Sequence, residues 1–289
     1  RDIDGVLERT KICMEFYPEE NQRARNWLKQ QGWREGEAFV CLIVRDDSFL
    51  DSDSQLLLDK GSWGYHSYRN SDITTYVPAM EWLADQGAWV LRMGKRMKNP
   101  IPSQHKRIID YAFHPEKSDF LDIWLFAHCN LCISTGTGPD IVSSVYRRPM
   151  LFVDFIQLSY LWSWTNGIHF PKKLVWESSG KTLTLQEYLH NSYFKTEEYH
   201  HAGIKVLDST SEDILCATQE CWQRIQGSWI DTENDLQRHE KFWEILKSWP
   251  KYSSLHNWIH PNNHVGTTWL RSHKDIFFAK DKQFFSSHM

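Results

Sequence analysis

The chain has 289 residues, 41% of them hydrophobic and 24% charged, with a net charge of −4 at neutral pH. That length can bury a sizeable core, as one large domain or two modest ones. The acidic balance argues against non-specific nucleic-acid binding as the main activity. No uncharged apolar run approaches the ~18 residues of a membrane span.

Residues 2–31 read as helix with a break at Tyr17-Pro18, and Gly32 is a natural stop. Ala38 to Val44 is a continuous apolar run that suits a strand buried on both faces, and it ends abruptly in Arg45-Asp46-Asp47. Ser48 to Ser67 is polar and aromatic and reads as a long loop, the kind of connection that often carries function. A helix is predicted over Asp72 to Gln86, capped by Asp72 and stopped by Gly87. Trp89 to Met93 is the next strand, followed by Gly94-Lys95, and a short strand covers Ile108 to Tyr111. Ser118-Asp119 caps a helix over Phe120 to His128. Leu131 to Ile133 then empties into Ser134-Thr135-Gly136-Thr137-Gly138, ahead of an amphipathic stretch from Asp140 to Tyr146 and a strand from Met150 to Val153. This alternation predicts an α/β fold with a parallel sheet and helices on both faces. Beyond Asp154, Ile156 to Phe170 reads as an aromatic loop, Leu183 to Asn191 as helix capped by Thr184, and Lys205 to Asp208 as a last short strand. Helices over Ser211–Gln226 and Glu233–Leu246 follow.

Six cysteines are scattered, mostly within apolar runs. Cys129-x-x-Cys132 has zinc-knuckle spacing, but no second pair stands at the right distance, so buried free thiols in a reducing cytoplasm are the better reading.

Ligands of open parallel sheets bind outside the carboxyl ends of the strands. There the sequence places Arg45-Asp46-Asp47, Arg92 with Gly94-Lys95, Asp110-Tyr111 and the turn Ser134 to Gly138. Two arginines, a lysine, hydroxyls and a helix start suit a diphosphate. The turn is neither Gly-x-Gly-x-x-Gly nor a P-loop, and a simple strand-to-helix turn is the competing reading. A second cluster is Tyr65-His66-Ser67-Tyr68-Arg69-Asn70-Ser71-Asp72. His66 could act as a general base oriented by Asp72, with Asp46 and Asp47 as alternative bases. Arg69 and Asn70 are ligand contacts in one reading, and a solvated charge and a turn residue in the other. Of fifteen tryptophans, Trp63, Trp162, Trp164 and Trp176 fall in or near loops where a flat face could stack on sugar or base, although most tryptophans in such a chain are core.

The set Cys41-Leu42-Ile43-Val44-Arg45-Asp46, Tyr68-Arg69-Asn70-Ser71-Asp72-Ile73, Arg92-Met93-Gly94, Ser118 to Leu125 and Ser134 to Gly138 resembles a family of bacterial glycosyltransferases associated with surface-polysaccharide loci. The resemblance runs from about Ala38 to Gly227. More distantly, the glycine turn and the segment after it look like the donor half of GT-B glycosyltransferases such as heptosyltransferases. The resemblance implies two facing Rossmann-like lobes, a nucleotide-sugar donor in the cleft, a glycan or lipid-linked acceptor, and no cofactor or obligatory metal. It would place the protein in the cytoplasm or at the inner face of the membrane. Ser134, Thr135, Gly136, Thr137 and Gly138, with Asp140 behind them, would hold the diphosphate. Arg45, Arg69 and Lys95 would neutralise the leaving group. Asn70, Arg92 and Gly94 would complete the substrate contacts, Tyr111 and Ala112 would approach the base, and His66, Asp46 or Asp47 would take the acceptor proton. The chain departs from that pattern in having no acid before its glycine turn, so no catalytic role passes to the turn.

In this reading residues 36–230 form the nucleotide-sugar-binding domain, 231–289 a helical tail, and 1–35 a helical linker or the remnant of an acceptor lobe. That lobe would otherwise lie upstream of Arg1. A nucleotide-sugar epimerase and a non-catalytic binding module are the rival readings.

Overall fold

The first strand of the sheet, β1 (Phe39–Ile43), is buried at all five positions, which is why its sequence shows no polar alternation. The computed structural model describes residues 1–46 and 67–279. Within them the remaining strands are, in chain order, β2 (Trp89–Arg92), β3 (Ile108–Ile109), β4 (Leu131–Ser134), β5 (Met150–Phe155), β6 (Gly167–Pro171), β7 (Lys173–Trp176), β8 (Ile204–Leu207) and β9 (His264–Val265). Seven of them form one parallel sheet in the order β3-β2-β1-β4-β5-β6-β9. β7 and β8 make a separate antiparallel ribbon. The first six strands thus follow the order of a Rossmann-like sheet, which reverses direction between β1 and β4.

The helices are α1 (Val6–Arg9), α2 (Pro18–Gln30), α3 (Val77–Asp85), α4 (Asp119–His128), α5 (Ile141–Val145), α6 (Leu185–His190), α7 (Thr196–His201), α8 (Ser211–Ile225), α9 (Glu233–Ser248), α10 (Tyr252–His256) and α11 (Thr267–Phe277). Helix α3 packs on α8, while α4 packs on α2 and α5. The right-handed crossovers that link parallel strands put these two groups on opposite faces. Side-chain caps begin the elements where the sequence placed them: Ser118 accepts from Leu121 N–H and Thr184 from Glu187 N–H. Asp72 accepts from Thr74 N–H but opens a 3-10 turn, Ile73–Tyr76, which leads into α3 at Val77-Pro78.

The structure corrects the sequence reading in three places. The expected loop from Ile156 to Phe170 contains the start of β6, which is buried throughout and pairs with β5. Its residues, Gly-Ile-His-Phe-Pro, carry no β-branched run to announce a strand. The strand expected at Lys205–Asp208 exists but lies in the ribbon, outside the main sheet. The ends of the chain are not appendages. β9 closes the sheet beside β6. At the other end, α2 docks on α4 through Trp124 Nε1 donating to Asn21 Oδ1 at 3.0 Å, and Trp27 meets the Tyr111 ring edge-on at 5.3 Å. One hydrophobic core runs from Ala24 to Phe278.

All six cysteines are free, and Cys41, Cys129, Cys132 and Cys221 are buried. Burial pushes the thiols of Cys41 and Cys132, partners in register on β1 and β4, well above their ordinary value, so neither is a thiolate. Among the described residues no helix is long and apolar enough to cross a membrane.

Candidate functional site

The chain leaves β1 through Arg45-Asp46, and its described course resumes at Ser67. Four consecutive residues are then fastened to four different places. Tyr68 Oη accepts from Gln157 Nε2 at 3.1 Å, and Arg69 Nη2 donates to the Gly136 carbonyl at 2.6 Å. The Asn70 carbonyl accepts from Lys172 Nζ at 2.6 Å, and Ser71 Oγ donates to Asp154 Oδ2, also at 2.6 Å. The Ser71 N–H returns to the Arg45 carbonyl, which closes the loop onto the end of β1.

Two of these anchors are buried charged side chains that no sequence pattern singles out. Lys172, only 1% exposed, places its ammonium between the Asn70 carbonyl and Asp208 Oδ1 at 2.5 Å. Asp154 sits at a register shift in β5 with a left-handed φ of 55°, a conformation that costs a non-glycine residue about 1–3 kcal/mol. Its carboxylate accepts from Ser71, from Tyr76 Oη at 3.4 Å and from the Ser209 N–H at 2.8 Å, bonds that offset the strain. The sequence signal, if any, was a lysine and an aspartate adjoining apolar strands.

The glycine turn bonds largely to itself, although Thr137 Oγ1 and Asp140 Oδ1 are buried without a partner among the described residues. Ser134 Oγ donates to Asp140 Oδ2 at 2.5 Å and accepts from Gly136 N–H, while Thr137 N–H donates to the same Asp140 oxygen at 2.9 Å. Thr135 Oγ1 accepts from Arg45 N–H, joining the ends of β1 and β4. Burial raises the Asp140 carboxyl to about 6, against the pull of its bonds to Ser134 and Thr137. The expected cradle therefore already holds an anion, the carboxylate of Asp140, and the amides of Gly136 and Thr137 point to it and to Ser134 rather than outward.

A cavity of about 740 Å³ opens over the carboxyl ends of β1 and β2, and neither the turn from Ser134 to Asp140 nor Arg45 and Arg69 are among the residues that line it. Val44, Asp46, Arg92 and Asn99, and Tyr199 and Lys205 of the α7–β8 segment, are among its lining residues. Of the residues singled out in the sequence, Asp46, Asn70, Asp72 and Arg92 line it together. Arg92 is wholly buried: Nη1 bonds Asp110 Oδ1 at 3.0 Å, Nη2 bonds the Asn99 carbonyl, and Nε has no partner among the described residues. Asp46 Oδ2 accepts from Lys98 N–H at 2.8 Å. Lys98 and Lys205, which sequence reasoning passed over, add cationic side chains to the walls.

Other expected contacts lie elsewhere. The carbonyls of Gly94, Lys95 and Ala112 all accept from Lys117 Nζ, at 3.1, 2.6 and 2.9 Å, and none of the three lines the cavity. The Lys95 ammonium pairs at 3.3 Å with exposed Asp119. Tyr111 is a core residue whose hydroxyl bonds the Ser118 carbonyl, so its ring is not open to a base. Trp162 and Trp164 stack on each other at 5.4 Å, and Trp176 Nε1 donates to Glu187. Asp47, Trp63 and His66 lie outside the described residues. Among the described residues no group of three or more His, Cys, Asp or Glu is placed to hold a metal ion. No family model, curated protein or solved structure matches the chain.

Proposed function

We propose that the chain binds a nucleotide diphosphate sugar in the cavity over β1 and β2 and transfers its glycosyl group to a glycan or lipid-linked acceptor, as one lobe of a GT-B-like enzyme of surface-polysaccharide synthesis. One observation carries the reading. A large cleft, lined by Arg92, Lys98 and Lys205 together with the carboxylates of Asp46, Asp72, Glu177 and Asp208, lies at the carboxyl end of a parallel sheet, next to the point where the strand order reverses. In this reading the two lysines hold a phosphate as point charges, and buried Arg92, its fork engaged by Asp110 and Asn99, adds positive charge beneath them. Those cations would stabilise the diphosphate as it departs, which supports a metal-independent reaction. Asp46, Asp47 and His66 are the bases available to the acceptor hydroxyl.

The test is a thermal-shift screen of nucleoside diphosphates and their sugars, with and without EDTA. A ligand at a hundredfold excess over its Kd should raise stability by about 2.7 kcal/mol. Lys98→Ala and Lys205→Ala should weaken that shift without lowering the melting temperature of the free protein. Absence of any shift across the screen would refute the assignment, and shifts without transfer to any acceptor would reduce it to binding.

A further inference from the structure

Lysine, arginine, aspartate and glutamate side chains line the cavity over β1 and β2, and four of them are already engaged. Lys172 and Asp208 are joined to each other, Arg92 is held by Asp110 and the Asn99 carbonyl, and Asp46 accepts from the Lys98 N–H. The other four have capacity left over. The ammonium groups of Lys98 and Lys205 and the carboxylate of Glu177 have no partner among the described residues. Asp72 uses Oδ1 to cap the Thr74 N–H, and its Oδ2 has no partner among them either. All four side chains are exposed, so a ligand in the cavity can reach them, and exposed His200 also lines it.

These four groups come from two parts of the fold, one of each sign from each part. Lys98 follows β2, and Asp72 precedes the 3-10 turn that leads into α3. Lys205 lies in β8 and Glu177 follows β7. Val175 pairs with Lys205 across the ribbon, and Glu177, two residues beyond Val175, continues the same side, with its N–H on the Gly203 carbonyl. No ion pair joins any of the four to another. A purely anionic ligand would meet the two lysines but would also bring its charge against Asp72 and Glu177. Neutral hydroxyls can bond a carboxylate, yet they leave its charge uncompensated once the ligand displaces water. An ammonium supplies both the protons and the opposite charge.

We propose that the glycosyl donor taken by this cavity is an amino sugar with a free, protonated amine: its phosphates lie against Lys98 and Lys205, and its ammonium faces the carboxylates of Glu177 and Asp72. The inference rests on the donor reading of the cavity and adds the class of sugar to it. An N-acetyl sugar has the same ring and the same phosphate but no charge on its nitrogen, so it isolates the ammonium. Because both carboxylates are exposed, the gain is that of solvent-screened pairs, about threefold to tenfold in affinity.

The full chain is titrated at neutral pH, by calorimetry and ligand-observed NMR, with glucosamine 1-phosphate, galactosamine 1-phosphate, their N-acetyl counterparts and glucose 1-phosphate. At least one amino ester should bind about threefold to tenfold more tightly than its N-acetyl counterpart, and added salt should shrink the difference. Glu177→Gln combined with Asp72→Asn should abolish the preference without weakening the N-acetyl ester. Neither substitution threatens the fold, since the Glu177 side chain is exposed and unbonded among the described residues, and asparagine keeps an oxygen for the Thr74 cap. Nucleoside diphosphates titrated in parallel test the donor reading itself; if none binds, that reading falls and the inference with it. Where one does bind, three results would overturn the inference and leave the reading standing: an amino ester that binds no better than its N-acetyl counterpart, a preference that survives in the double variant, or failure of every sugar phosphate to bind.

Discussion

Arg69 Nη2 lies 2.6 Å from the Gly136 carbonyl oxygen, and this bond ties the loop leaving β1 to the turn leaving β4. Read from sequence, Arg69 serves a ligand and its loss leaves the fold indifferent. The structure gives it a tethering role as well. Arg69→Ala should therefore cost about 1–2 kcal/mol, the range of a charge-assisted hydrogen bond at a half-buried site. Arg69→Lys should recover part of that. Urea titration of the three proteins measures it, and a melting temperature unmoved in Arg69→Ala would show that the bond contributes nothing.

The parts of the fold that could be read from sequence were those with strong local signatures. β1 is an unbroken apolar run, β2, β4 and β5 each open with at least three apolar residues, and Ser118, Thr184 and Asp72 cap elements because their oxygens satisfy N–H groups within three residues. β6 and β9 were hidden because a two-residue strand and a Gly-Ile-His-Phe-Pro segment acquire strand character only from their neighbours. The site was half legible. Asp46, Asn70 and Arg92 could be placed at the carboxyl edge from strand order alone. The inward turn of the Gly136 and Thr137 amides could not, because it depends on Asp140 folding back to Ser134. Lys172 and Asp154 were missed for a related reason: each is fixed by partners at least 36 residues away along the chain.

The two turn glycines should separate on substitution. Gly136 has φ of +76°, while a Cβ there would meet Phe155 at an ordinary 3.6 Å. The penalty for Gly136→Ala is thus conformational, about 1–2 kcal/mol. Gly138 has an ordinary φ, and a Cβ added there would meet nothing within 4 Å, so Gly138→Ala should be nearly neutral to stability. Equal melting temperatures for the two alanine variants would contradict the backbone argument.

Lys172 and Asp208 form an unequal pair, since the lysine side chain is 1% exposed and the aspartate 57%. Removing the exposed partner should do the greater harm. Asp208→Ala strands a buried ammonium with only the Asn70 carbonyl as partner, a loss of about 2–4 kcal/mol after allowance for the exposure of Asp208. Lys172→Met leaves a solvated carboxylate and one orphaned carbonyl, about 1–3 kcal/mol. The double variant should be closer to Lys172→Met than to the sum of both. A denaturant-based double-mutant cycle reads the coupling, and simple additivity would mean that the pair is not energetically joined.

Acid should destabilise the fold through its buried histidines. Burial lowers His169 to about 3 and His256 and His239 to about 4, from an ordinary 6.5. The unfolded chain takes up protons below 6.5 that the folded chain refuses, so the stability these groups contribute is complete above that pH and is lost as pH falls towards 4. Asp140 acts in the opposite sense. Its carboxyl, raised to about 6 from 3.8, binds a proton more readily in the folded state, which gains stability as pH falls through 6. Near pH 5 the three histidines would take up about three protons on unfolding and Asp140 would release about one, leaving a net uptake of about two. His128, His260 and His273 are lowered by burial as well and add to the same side, while Asp122, raised by burial, adds to that of Asp140. Unfolding free energy should therefore fall by about 2–3 kcal/mol per pH unit between pH 6 and 5. Asp140→Asn, which keeps an oxygen for Ser134 and Thr137 but cannot titrate, should steepen that slope by about one proton. Urea unfolding at closely spaced pH values measures both slopes. A flat profile for the parent protein, or a shallower one for Asp140→Asn, would mean that these groups are not held in the charge states their burial dictates.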